Sequence, residues 1–245
     1  MTPGERTGPA AAATIPGRSD ALPSGEAKTA AVRSMFDAIS GRYDLVNRVM
    51  TFGMDRGWRT RAIRSLGPPD DSVVVDLACG TGDMARELDS VGWHSVGVDL
   101  SLGMLGAAPG CFARVQADSL ALPLHDACAG GATCGFALRN FTDLGATLVE
   151  LARVLRSGAR VALLDVAEPP NPLMRLGHGV YFNRVVPLVG GLLSDRDAYS
   201  YLPRSVAYLP PTGELLSMVH SAGFVDIERT LLTDGIAQLI TARRA

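Results

Sequence analysis

The chain has 245 residues, 47% of them apolar and 20% charged, with a formal net charge of −2. That balance suits one large domain with a substantial core, and it offers no basic surface to a nucleic acid, so no nucleic-acid partner is expected. No run of about 18 apolar residues is available to span a bilayer, and the N-terminal residues lack the apolar stretch of a secretion signal.

Residues 1–25 are rich in Pro, Ala, Gly and Ser and read as a disordered tail ahead of a domain over 26–245. From Glu26 to Leu66 apolar residues recur at helical spacing (Val32, Met35, Phe36, Ile39, then Leu45, Val46, Val49, Met50), with Gly41 dividing two helices. A strand follows at Ser72–Leu77, then a glycine turn and a helix over Asp83–Val91. A second strand, Ser95–Asp99, ends in an acid, and Ser101 caps a helix reaching Ala108. Further strands are expected at Phe112–Gln116, Gly131–Phe136 and Arg160–Val166, with a helix at Leu144–Leu155. An insertion over Asn171–Pro210 precedes a helix at Thr212–Ala222 and two strands, Val225–Leu231 and Ala237–Ala242. Strands alternating with helices imply an α/β fold whose mostly parallel sheet is covered on both faces.

The four cysteines (Cys79, Cys111, Cys128, Cys134) form no metal or disulfide framework and read as small buried apolar residues in a reducing compartment. The four histidines are scattered without metal spacing, so no metal site is expected.

Residues 73–83 read V-V-V-D-L-A-C-G-T-G-D. A glycine turn between a strand and a helix usually receives phosphate, and Gly80-x-Gly82-x-x-Ala85 with Asp99 about 20 residues on fits the loose dinucleotide pattern. Here, however, Asp76 and Asp83 stand on either side of the turn. A pyrophosphate would meet like charge there, at a cost of a few kcal/mol, to order of magnitude. S-adenosylmethionine has no phosphate, and its sulfonium and amino groups are cationic. Acids around the turn then attract, and Asp99 can still bind ribose hydroxyls. Asp118, after the third strand, is placed to accept from an adenine amino group, although an acid there can equally cap a turn. Asp83 can equally serve as a helix N-terminal acid.

Together with three longer strings, these residues resemble the methyltransferases that complete menaquinone and ubiquinone rings, over roughly residues 30–240. D-L-A-C-G-T-G-D looks like the general turn of class I methyltransferases. F-D-A-I-S-G-R-Y-D-L-V-N-R-V-M-T-F-G-M-D-R-G-W-R (36–59), G-F-A-L-R-N (135–140) and D-A-Y-S-Y-L-P-R-S-V (197–206) are similar to more specific signatures of that family. The resemblance implies a class I methyltransferase, Rossmann-like sheet with N-terminal helices and a lid insertion. It implies S-adenosyl-L-methionine as cofactor, held by Asp76, Gly80, Thr81, Gly82, Asp99, Asp118, Ser119 and, through backbone, Gly135, where the family commonly has serine. It also implies a prenylated quinol as acceptor and leaves homo-oligomerisation open; the reducing compartment read from the cysteines is the cytoplasm, and peripheral contact with the inner face of the membrane stays open.

Methyl transfer to a ring carbon needs the quinol hydroxyl to lose its proton, so a base, a water chain or a nearby cation helps. Arg139 and Asn140 are the candidates just past the fourth strand. Arg139 would stabilise phenolate charge, unless it serves in a scaffold ion pair, and Asn140 would orient the hydroxyl. Tyr43 and Asp44 are expected to close the cleft, unless Tyr43 is plain packing and Asp44 a solvated helix residue, and the run Val185–Leu193 either packs in the core or forms an apolar lid over a prenyl tail. Two departures from the family, at Asp165 and Ile240, are expected near the quinol. The rival readings are a ubiquinone precursor or a soluble aromatic metabolite as acceptor, an NAD-dependent oxidoreductase, which Asp76 disfavours, and a catalytically silent binding module.

Overall fold

Strands that are apolar on both sides must be covered on both faces. The computed structural model describes residues 25–180 and 205–245. Residues 1–24 of the expected tail and the middle of the expected lid, 181–204, lie outside the described residues, while Gly25, the last residue of the expected tail, begins the first helix. With that middle stretch go the run Val185–Leu193 and the aromatics Tyr181, Phe182, Tyr199 and Tyr201.

The strands are β1 (Val73–Leu77), β2 (His94–Asp99), β3 (Ala113–Gln116), β4 (Ala129–Gly135), β5 (Leu155–Val166), β6 (Phe224–Leu232) and β7 (Ala237–Arg244). They form one sheet in the order β3-β2-β1-β4-β5-β7-β6. The first five pair in parallel, and β7 runs antiparallel to β5 and β6. The helices are α1 (Gly25–Ile39), α2 (Tyr43–Met50), α3 (Met54–Ser65), α4 (Asp83–Ser90), α5 (Leu102–Ala107), α6 (Leu144–Val154), α7 (Pro172–Val180) and α8 (Thr212–Ser221). Among the described residues no helix is long and apolar enough to cross a membrane.

Alternation along β1 assigns each side chain to a face. Val75 and Leu77 join the core built by Leu148 and Leu151 of α6 and Leu215 and Val219 of α8. Val74 points the other way, into the cluster of Trp58 and Ile63 of α3 with Met84 and Leu88 of α4. Asp76 follows Val74 on that second face and is buried like a core residue.

The N-terminal stretch forms three helices rather than the expected two. Gly41 lies in a short 3-10 turn, Ser40–Arg42, and a second break falls at Gly53, whose φ of 73° is left-handed. The Gly53 N–H bonds back to the Arg48 carbonyl at 2.9 Å and so closes α2. β5 also begins earlier than expected. Leu155 pairs with Ala129, the register shifts, and pairing resumes at Arg160 opposite Gly131. Gly158, at φ 83°, lies within the shifted stretch.

Side chains from α1 fasten it across the carboxyl ends of the strands. Lys28 Nζ donates to the carbonyls of Phe141 at 2.6 Å and Arg139 at 3.1 Å, and lies 4.0 Å from the centre of the Tyr208 ring. Burial of this ammonium lowers its pKa. Asp37 accepts from the Ser101 hydroxyl and from the Gly103 N–H, which ties α1 to the start of α5.

Candidate active site

Strand order reverses between β1 and β4, so the crevice of an open α/β sheet falls at the carboxyl ends of these two strands. Both chains leave the sheet through a left-handed residue that is not glycine: Ala78 at φ 54° after β1 and Phe136 at φ 60° after β4. Such conformations cost of order 1 kcal/mol or more each, and they cluster where function demands them. The turn beyond Ala78 needs its glycines for space as well as for φ. A Cβ on Gly82 would fall 2.2 Å from the Phe112 ring, and one on Gly80 would fall 3.0 Å from Met104.

The acids around the turn divide into three kinds. Asp99 bridges two loops: one carboxylate oxygen accepts from the Gly80 N–H at 2.8 Å and the other from the Ser101 N–H at 2.8 Å. Its pKa is raised by burial, against the pull of those N–H groups. Asp76 accepts from the Thr133 hydroxyl at 2.8 Å through one oxygen, while its other oxygen is buried without a hydrogen-bond partner among the described residues. Burial raises its pKa to about 7. Asp83 differs, because Arg59 holds it at 2.5 Å and Arg86 at 2.6 Å. It is a paired helix-terminal acid, whereas Asp76 keeps an oxygen without a hydrogen-bond partner among the described residues.

Two recesses flank the turn. The larger spans about 830 Å³ including space open to solvent, and Gly80, Asp99, Asp118, Ser119, Gly135, Asn140 and Tyr43 lie in its wall. The smaller, of about 370 Å³, is lined by Asp76, Thr81, Asp83, Arg59 and again Tyr43, Gly80 and Gly135. The structure therefore brings nearly all the expected residues together. Thr81 shares a hydrogen bond with Asp44 of α2. Asp118 caps its own turn, accepting from the Leu120 N–H at 3.0 Å through one oxygen. The Ser119 hydroxyl pairs with Thr147 at 3.2 Å. At Gly135 a Cβ would meet the Met84 sulfur at 2.7 Å, so Met84 fills the space that a serine would take.

Arg139 is placed differently from its neighbour. Its guanidinium is buried in an ion pair with Asp165 and bonded to Ser205 at 3.1 Å and to the Phe136 carbonyl at 2.8 Å. It lines neither recess. Asn140 does line the larger one, and its Oδ1 is buried without a partner among the described residues. The Tyr43 phenol has its pKa raised by burial and stays neutral near pH 7. Ile240, expected near the quinol, packs wholly inside the core with residues of α6 and α8 and lines neither recess. Cys134 is buried as expected and Cys79 partly so, but Cys111 and Cys128 are exposed. Among the described residues no cluster of ligating side chains could hold a metal ion.

Several cleft residues are absent from the sequence reading as site residues. Thr29, Val32, Arg33 and Phe36 of α1 line the larger recess, as do Met104, Phe136 and Phe141. The helical spacing of Val32 and Phe36 marked an apolar stripe, but spacing cannot tell a stripe on a core from a stripe on a cleft.

The site suits a cationic, phosphate-free cofactor. The Gly80 N–H that would grip a phosphate is taken by Asp99, and a lone carboxylate oxygen waits at Asp76. Comparison with known proteins agrees. A demethylmenaquinone methyltransferase of Roseiflexus castenholzii is 41% identical over 91% of this chain and 97% of its own. A ubiquinone/menaquinone biosynthesis C-methyltransferase of Syntrophotalea carbinolica is 39% identical over 87% and 94%. The fold is shared with a phosphoethanolamine N-methyltransferase of Haemonchus contortus solved with S-adenosyl-L-methionine, at a TM-score of 0.63 and 14% identity over 87% of this chain and 60% of that one. It is also shared with an S-adenosylmethionine-dependent methyltransferase of Thermotoga maritima, at a TM-score of 0.62 and 19% identity over 87% and 100%. Residues 24–244 match the model of the ubiE/COQ5 methyltransferase family, and with the cleft, the turn and these relatives in agreement, the chain belongs to that family and uses S-adenosyl-L-methionine to transfer a methyl group in quinone biosynthesis.

Proposed function

We propose that the acceptor is a reduced, prenylated naphthoquinol, demethylmenaquinol, methylated on the ring carbon beside a hydroxyl at a membrane surface. The observation that carries this reading is the continuity of the acid-flanked turn with a largely apolar cleft. Phe36, Tyr43, Phe136 and Phe141 line that cleft, and in it Asn140 Oδ1 is the buried side-chain acceptor left unpartnered among the described residues. A flat aromatic ring with a single hydroxyl to orient fits such a wall.

The cofactor supplies an electrophilic methyl on a sulfonium, and the protein's part is to hold and orient. Asp99 would accept from the ribose hydroxyls with its remaining lone pairs, Asp118 would face the adenine with its free oxygen, and Thr81, Ser119 and the Gly135 backbone would border the ligand. Asp76 would face its cationic end. Asn140 Oδ1 would accept from the quinol hydroxyl and so fix its orientation, with the proton passing to solvent water as the ring carbon is methylated, while Tyr43, neutral and able to donate or accept, would close the opposite side. We assign Arg139 to positioning. Its ion pair with Asp165 and its bonds to Phe136 and Ser205 hold the turn at 138–140, and so set the angle at which Asn140 meets the cleft. Water exclusion falls to α1, which Lys28 fastens over the site.

A panel of reduced naphthoquinols and benzoquinols, supplied with methyl-labelled S-adenosylmethionine, tests the acceptor. Label is expected on the ring carbon of the naphthoquinol. Label confined to a benzoquinol, or on oxygen, would displace the assignment.

The raised pKa of Asp76 predicts a pH signature. A carboxyl whose folded pKa is raised stabilises the fold below its unfolded value and loses that contribution as pH rises through about 7. A bound cation reverses this by favouring the ionised form. Cofactor affinity should therefore tighten between about pH 6 and about pH 8, with proton release on binding. Arg59, Asp99 and Thr133 also act on this carboxyl, so Asp76→Asn is the control. Calorimetry in buffers of different ionisation enthalpy should find the release in the native chain and its loss in the variant. Equal proton release in both would remove Asp76 from the cofactor site.

The two roles considered for Arg139 separate by a double substitution. Arg139→Leu alone leaves Asp165 buried and unpaired, which should cost about 3–5 kcal/mol of stability. Arg139→Leu with Asp165→Leu should regain most of it in urea denaturation. If the folded double variant still methylates at a measurable rate, with KM for the quinol raised more than kcat is lowered, the pair positions the site. A loss of about 10³ in kcat with unchanged KM would instead give the guanidinium a direct catalytic part.

A further inference from the structure

The outer face of α2 is apolar. Its inner face carries Tyr43, Val46 and Met50, which pack beside α1. The opposite side exposes Leu45 (56%) and Val49 (41%), one helical turn apart, and Phe52 (75%) follows in the turn that ends the helix. An apolar stripe on the solvent side of a helix whose other side is already packed is not explained by packing among the described residues.

The exposed charges of the stretch that carries the stripe have one sign. Between residues 42 and 66 every exposed ionisable residue is an arginine: Arg42, Arg48, Arg56, Arg61 and Arg64. The acids of this stretch are turned inward and engaged, Asp44 with Thr81 and Asp55 with Arg59 and Thr51. On the adjoining α4, Asp83 pairs with Arg59, and Glu87 accepts from Thr60. In a chain of net charge −2, this short stretch thus carries five exposed arginines and no exposed acid, alongside exposed leucine, valine and phenylalanine.

We propose that this face of α2, with the start of α3, docks the enzyme on a bilayer that contains anionic lipid. Leu45, Val49 and Phe52 would enter the acyl boundary while the arginines meet the headgroup phosphates, the pattern of helices that lie in a membrane interface. An acidic protein or a nucleic acid would answer the charge and leave the apolar stripe without a purpose. The placement also serves the chemistry. The same helix presents Tyr43 to the cleft and its neighbour Asp44 to Thr81, so docking would bring the cleft wall to the surface where a prenylated acceptor resides. The biological purpose of this docking rests on the acceptor proposed above, while its geometry does not.

The test is sedimentation of the full chain with vesicles of phosphatidylcholine alone and with about a third phosphatidylglycerol. The native chain should bind the anionic vesicles and release in high salt, with little binding to the neutral ones. Arg48→Glu with Arg56→Glu should lower partitioning at least about tenfold, and Leu45→Gln with Val49→Gln should lower it to a similar degree. Cofactor binding and methyl transfer to a short-chain, water-soluble quinol should be unchanged in both variants, which shows that each is folded. Undiminished vesicle binding in either variant, or equal binding of the native chain to neutral and anionic vesicles, would overturn the docking face. Failure of the native chain to methylate the soluble quinol would overturn the acceptor assignment instead and leave the vesicle result to stand by itself.

Discussion

One carboxylate sets the terms for the site. Asp99 ends β2, reaches across to the turn after β1 and accepts the Gly80 N–H, while its other oxygen accepts the Ser101 N–H. A glycine turn in front of a helix attracts anions because its N–H groups are bare. Here the protein's own acid supplies the anion. The turn keeps the shape of a nucleotide-binding loop but loses its appetite for phosphate, and Asp76 behind it adds a buried carboxylate oxygen with no partner among the described residues. A ligand with ribose hydroxyls and positive charge answers both features.

The rest of the molecule holds that arrangement in place. Parallel strands buried on both faces bring β1 and β4 side by side, and the reversal of strand order between them opens the crevice. Left-handed backbone at Ala78 and Phe136 turns each chain abruptly at its rim. The cost is met by the surrounding core, since residues so placed persist only where neighbours over-determine them. From the other side, Lys28, Asp37 and Asp44 tie the N-terminal helices to three separate loops of the sheet domain. The cleft is thus walled by parts of the chain that are distant in sequence.

That distance explains what could and could not be read beforehand. The strands and most helices were legible because period-2 and period-3.6 patterns are local, and Asp99 was legible because its distance from the turn is set by one helix and one strand. Gly53 as a helix break was not, since Gly41 offered an equally good signal nearby. The early start of β5 depends on a register shift, which leaves no local mark. The partners of Asp83 and Arg139 lie 24 and 26 residues away, on elements whose packing decides the pairing. Ile240, expected beside the quinol from its place in a motif, falls on the buried face of β7, where strand alternation puts it. The apolar stripe of α1 was legible, but not that Val32 and Phe36 within it wall the cleft.

The central claim is that the turn selects a cationic cofactor and refuses a phosphate-bearing one. Thermal denaturation of the native chain against increasing S-adenosylmethionine, S-adenosylhomocysteine and NAD tests it directly, because a ligand that binds only the folded state raises Tm by an amount that grows with the logarithm of its concentration over its Kd. S-adenosylmethionine should raise Tm progressively, its uncharged-sulfur counterpart should also bind through Asp99, and NAD should leave Tm unchanged. A rise with NAD that equals or exceeds the rise with S-adenosylmethionine would contradict the account.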